Sequence, residues 1–155
     1  AINCKPVMLR QILDFISAGE PPRTAPDRKL AAAVLLVEAA HRDDTFAPEE
    51  RSVIASLLTE KFGLSAEECD RLLSRAESIN ASMTQLHPYT RVVLEQMGPA
   101  ERIELIEMMW EVAYADGVLD PEEDALIRRL GNLIHITDRD RVLARQRVLA
   151  RKAAS

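Results

Sequence analysis

Residues 35–58 recur, with no gap, 73 residues further along the chain. Glu38 meets Glu111, Asp43 meets Asp116, Phe46 meets Leu119 and Pro48 meets Pro121. Glu49-Glu50 meets Glu122-Glu123, Ile54 meets Ile127 and Leu57 meets Leu130. The shared frame is E-x4-D-x-x-[FL]-x-P-E-E-x3-I-x2-L. Apolar periodicity alone would not keep these acids in register, so the stretches read as two copies of one helical hairpin. Each hairpin carries an acid late in its first helix and acids at the start of its second. Packing about a pseudo-two-fold axis is the natural outcome, with the equivalent acids brought towards one another.

The rest of the chain agrees with a helical reading. Leu, Ala, Glu and Arg dominate, there are only 5 glycines, and no stretch alternates as a strand does. The pattern predicts an amphipathic helix over Met8–Ala18, a proline-rich linker over Gly19–Pro26 and an apolar helix over Asp27–Arg42. Helices are expected at Pro48–Lys61, stopped by Gly63, and at Ala66–Ile79, opened by the capping box Ser65-Ala-Glu-Glu68. One or two helical turns fit 82–97 around His87-Pro88. A long helix is expected from Gly98-Pro99 to about Tyr114, another opens at Asp120-Pro121, and the last opens at Thr137. The expected fold is all-α, a compact bundle of about seven to eight helices built from the two repeated hairpins. Residues 1–26 form an N-terminal helix and linker, and 27–155 the helical domain, with halves of about 27–80 and 98–155.

Charge is unevenly placed. Between 99 and 124 nine acids face Arg102 alone, whereas six bases outnumber two acids in 138–155. An acidic body repels nucleic acid, so the basic tail is expected to cover the acidic half within the fold. No apolar run reaches the roughly 18 residues of a membrane span, because Glu38 and Glu111 interrupt the best candidates. The N-terminus lacks the layout of a secretory signal. Cys4 and Cys69 offer neither a disulfide framework nor a zinc site and read as reduced thiols in a cytoplasmic protein.

Glu38 is the conspicuous residue, a carboxylate among the otherwise apolar Leu30–Ala40. Burying it costs several kcal/mol unless it is paired, protonated or bound to a cation. A pair with Arg42 at i+4 is available, but the second copy has Ala115 there, so the copies do not share it. Glu111 lies on one helix face with Glu104 and Glu107, where like charges repel. Relief must come from a cation or from arginines, with Arg128, Arg129 and the tail as candidates. Glu49, Glu50, Glu122 and Glu123 follow prolines at helix starts, where carboxylates complement exposed amides and the dipole.

Carboxylate oxygens without cysteine or a histidine cluster suit calcium or magnesium better than zinc. Val112 and Tyr114 fall where the loop of an ordinary EF-hand needs acids, which argues against one. A looser site would combine Glu111, Asp116 and Glu123; His41 could add a nitrogen to the first copy, although its twin is Tyr114. There is no phosphate loop, dinucleotide turn, nucleophile elbow or H-E-x-x-H, and His41, His87 and His135 have no partnered nucleophile, so no enzymatic activity is expected.

The segment Trp110–Glu123, WEVAYADGVLDPEE, resembles the TerB-like domain of the tellurite-resistance proteins, in its stand-alone bacterial branch. The similarity extends over roughly 28–150, and Val37–Glu50 is a looser match in which Asp44 replaces the glycine found at Gly117. The resemblance implies an all-helical, cytoplasmic bacterial protein without catalysis, linked to chemical stress. It also implies a divalent metal held by Glu38, Asp43 and Glu50 in one copy and by Glu111, Asp116 and Glu123 in the other. The alternative is a metal-free, co-chaperone-like adapter whose acids form structural salt bridges. A protein partner is expected in either case, a homodimer being one form, with no nucleic acid.

Overall fold

The computed structural model describes residues 27–40, 48–82, 85–115, 117, 119 and 121–154. The helix expected over Met8–Ala18 and the linker after it lie outside the described residues, as do His41, Asp43, Phe46 and Asp116. The described chain forms α1 (Arg28–Ala40), α2 (Pro48–Phe62), α3 (Ala66–Ser82), α4 (His87–Gln96), α5 (Pro99–Ala113), α6 (Pro121–Leu133) and α7 (Asp138–Ala154). It contains no strand. The fold is all-α, as the composition predicts.

Helix α1 is the axle of the bundle. Asp27 caps it, its carboxylate accepting from the Leu30 amide at 2.8 Å. Everything from Leu30 to Ala40 is buried except Glu38. A helix apolar on nearly all sides must be enclosed, and α2, α3, α4, α5 and α6 all pack against it. Ala31, Ala32, Ala33, Ala39 and Ala40 let those neighbours approach closely.

The two hairpins occupy matching places. α1 ends at Ala40 and α5 at Ala113, while α2 opens at Pro48 and α6 at Pro121, each pair 73 residues apart. Proline costs nothing at these starts, because the first amides of a helix have no partner within it. α1 and α5 pack against each other, α1 reaches α6, and α5 reaches α2. The contacts between the two hairpins are thus reciprocal.

The correspondence runs further than the sequence frame. α3 and α7 are both 17 residues long, and their starts, Ala66 and Asp138, lie 72 apart. The hydroxyl of Ser65 accepts from the Glu68 amide at 3.1 Å, and that of Thr137 accepts from the Asp140 amide at 3.1 Å. At the preceding helix ends the Leu64 amide donates to the Thr59 carbonyl, and the Ile136 amide to the Gly131 carbonyl. Helix lengths, caps and end bonds here correspond at an offset of 72, one less than that of the preceding helices.

Some boundaries differ from expectation. The turns expected in 82–97 are a 10-residue helix, α4, because Thr90, Val92 and Val93 find a buried seat against α1. α3 continues to Ser82, its Asn80 amide donating to the Val34 carbonyl at 3.1 Å. Among the described residues, no helix is long and apolar enough to cross a membrane.

Candidate functional site

The acids singled out by the repeat fall into two structural classes. Glu38 and Glu111 are half-buried on the inner helices, with side chains 23% exposed in each case. Glu50 and Glu123 are closed off, at 6% and 1%. Their neighbours Glu49 and Glu122 are exposed.

Glu38 finds its partner on another helix. Arg129 of α6 approaches its Oε1 at 3.8 Å, a loose ion pair from an exposed side chain. The lone carboxylate of α1 thus leaves the core along the side facing α6, and the full cost of an isolated buried charge does not arise. Arg128, the other candidate on α6, turns to Asp124 in its own helix at 3.8 Å.

The α5 stripe is compensated along its length. Arg28 meets Glu101 at 3.1 Å, and Lys61 contacts both Glu101, at 3.2 Å, and Glu104. Arg147 reaches Glu107 at 3.3 Å. Arg151 places one nitrogen 2.9 Å from Glu107 and the other 3.2 Å from Glu111. The Glu107 bond, followed by the one to Glu111, raises the Arg151 pKa above its ordinary value. The basic tail covers the acidic helix, as the charge asymmetry predicts. Lys61 was not among the candidate partners; its place in the last turn of α2 suits a cation on dipole grounds alone, and only the packing of α2 on α5 reveals the pairing.

These groups surround a cleft of about 760 Å³ between α2, α5 and α7, with Leu57 and Met108 on its floor and Lys61, Glu104, Glu111 and Arg151 on its walls. Met109 and Trp110 lie in the core instead. The Arg145 guanidinium stands 5.6 Å from the Trp110 ring centre and donates from Nε to the Tyr114 hydroxyl at 2.8 Å. This contact ties α7 to the residue at the threshold of the second acidic loop. Nothing in the linear sequence signals it.

Glu50 and Glu123 stand third in α2 and α6, where a carboxylate meets free amides and the positive end of the helix dipole. Oxygen donors in that position also suit a hard divalent cation. Among the described residues, no three His, Cys, Asp or Glu side chains converge into a ligand set. The third members of the expected sets, Asp43 and Asp116, lie outside the described residues. Cys69 is a buried free thiol, its sulfur 3.3 Å from the Ala55 carbonyl.

The family model described as tellurite resistance protein TerB matches residues 29–146. No curated protein matches the chain, and no solved structure does.

Proposed function

Since the chain belongs to the TerB family, which places it in a tellurite-resistance-like context, we propose that it is a non-enzymatic helical adapter for a protein partner in a chemical-stress response. The observation carrying this reading is that both glutamates marked by the repeat, Glu38 and Glu111, are engaged by arginines from other helices, Arg129 and Arg151. Their charge is answered inside the molecule, which leaves the bundle as a rigid platform needing no ion at these two positions.

A second reading is favoured by a different observation, the burial of Glu50 and Glu123 at equivalent helix starts. Calcium or magnesium would then be held by Asp43 and Glu50 in one loop and by Asp116 and Glu123 in the other, and would fix the hairpins against each other. Glu38 and Glu111 would complete those sets only by leaving their arginines.

Thermal unfolding of chelator-treated protein separates the two. It is followed with calcium, magnesium, zinc or no added metal, in the wild type and in Glu38→Gln, Glu50→Gln, Glu111→Gln and Glu123→Gln. The adapter reading expects the same midpoint with every metal. A concentration-dependent rise, lost in Glu50→Gln and Glu123→Gln, would replace it with the metal reading.

A further inference from the structure

α1 and α5 stand in matching places in the two hairpins, yet their surroundings differ by one helix. Among the described residues α1 packs closely against α2, α3, α4, α5 and α6, and α5 against α6, α7, α1 and α2. Exchanging the hairpins matches α2 with α6, α3 with α7 and α1 with α5. Only α4, seated on α1, has no opposite number on α5.

The residues follow this difference. At the offset of 73, Ala31, Val34 and Leu35 of α1 correspond to Glu104, Glu107 and Met108 of α5. The three on α1 are wholly buried. Their counterparts on α5 line the cleft of about 760 Å³ between α2, α5 and α7, and the Glu104 side chain is 55% exposed. The side of α5 that answers a covered, apolar side of α1 is thus open and carries carboxylates.

We propose that this cleft receives a short, basic, amphipathic helix from a partner protein, which would lie on α5 as α4 lies on α1. The inference rests on the adapter reading and gives it a docking site. From Glu104 to Glu111 the cleft follows α5 for about 10 Å, a length that two to three helical turns cover. Leu57 and Met108 form an apolar floor for the inner face of such a helix, which presents anchors at i, i+3, i+4 and i+7.

Charge sets the sign of the partner. Glu60, Glu104, Glu107 and Glu111 line the cleft against Lys61 and Arg151. Each of these cations is already divided between two acids, Lys61 between Glu101 and Glu104, Arg151 between Glu107 and Glu111. Arg147 adds a contact to Glu107, and Glu60 is exposed, so the lining stays negative. Lysines or arginines beside the apolar anchors complement it, whereas an acidic helix is repelled.

The test titrates the full chain with a synthetic helical peptide about 14 residues long, with leucines at the anchor positions and lysines beside them, read by methyl NMR. Expected are saturable shifts at Leu57 and Met108, absent with a peptide carrying glutamates for the lysines. Glu60→Lys should weaken binding several-fold, and the same change at Glu95 on α4 should leave it intact. Equal weakening in both variants, shifts at other methyls in place of these two, or no saturable shift would overturn the proposal. Shifts at Leu57 and Met108 that grow with protein concentration alone would overturn it in favour of a second copy. The adapter reading fails on a different readout, a metal-dependent unfolding midpoint, so the two failures are distinguishable.

Discussion

Glu50 and Glu123 hold the same position in two helices, third in α2 and third in α6, 73 residues apart and both shut away from solvent. Each follows a proline and an exposed glutamate, so the sequence around them supplies an internal control. Glu50→Ala and Glu123→Ala should each lower stability by about 1–3 kcal/mol, the cost of removing a buried carboxylate from the polar groups around it. Glu49→Ala and Glu122→Ala should each cost under about 1 kcal/mol. Urea denaturation decides, and equal effects at all four positions would remove any special role for the inner pair.

Arg151 is the clamp between α7 and α5, and it is half exposed, at 52%. Solvent screening limits each of its two ion pairs to about 0.2–1 kcal/mol. Arg151→Met should therefore lower stability by about 1 kcal/mol at low salt and by less at high salt. Arg128→Met, which breaks only the loose pair with Asp124 on the same helix, should cost no more than about 0.5 kcal/mol. Denaturation curves at two ionic strengths provide the check. A salt-independent loss for Arg151→Met would mean that the packing and hydrogen bonding of the guanidinium, rather than its net charge, hold α7.

What could be read from the linear chain follows sequence distance. Pro48, Pro121, Gly63 and the Ser65 capping box act within one turn of themselves, and the helix starts they predict match those observed. α4 was underestimated because its stability comes from its seat on α1, which no local signal near His87-Pro88 announces. The partner of Glu38 could be narrowed to a few arginines, but choosing Arg129 requires the packing of α6 on α1. The drop in repeat offset from 73 to 72 was hidden for another reason. Equivalent positions there carry dissimilar side chains, such as Gly63 and His135, and only the backbone bonds align them.

Glu68 closes its capping box with Ser65. The Ser65 amide, and then its hydroxyl, hold the Glu68 carboxyl below its ordinary 4.5. A carboxyl lowered on folding adds stability that is present above its unfolded value and disappears as pH falls through its folded value. Ser65→Ala should cost about 1 kcal/mol near neutrality, and the gap from wild type should narrow as acid protonates Glu68. Urea midpoints measured from pH 7 down through the carboxylate range test the sign. A gap that widens in acid would contradict it.

Gly63 and His135 end α2 and α6 in the same left-handed conformation, with φ of 63° and 59°. Glycine adopts it freely, whereas a residue with a Cβ pays about 1–2 kcal/mol. No atom lies within 4 Å of a Cβ placed on Gly63, so Gly63→Ala meets no clash and its cost is conformational alone, about 1 kcal/mol. His135 is exposed, and replacing it sacrifices little packing. His135→Gly should relieve the strain, offset in part by a looser unfolded chain, for a net gain of about 0.5 kcal/mol. The two substitutions should therefore move the urea midpoint in opposite directions with an unchanged slope. A loss of stability in His135→Gly would show that the imidazole makes a contact worth more than the strain it imposes, and the two helix ends would then be alike in backbone only.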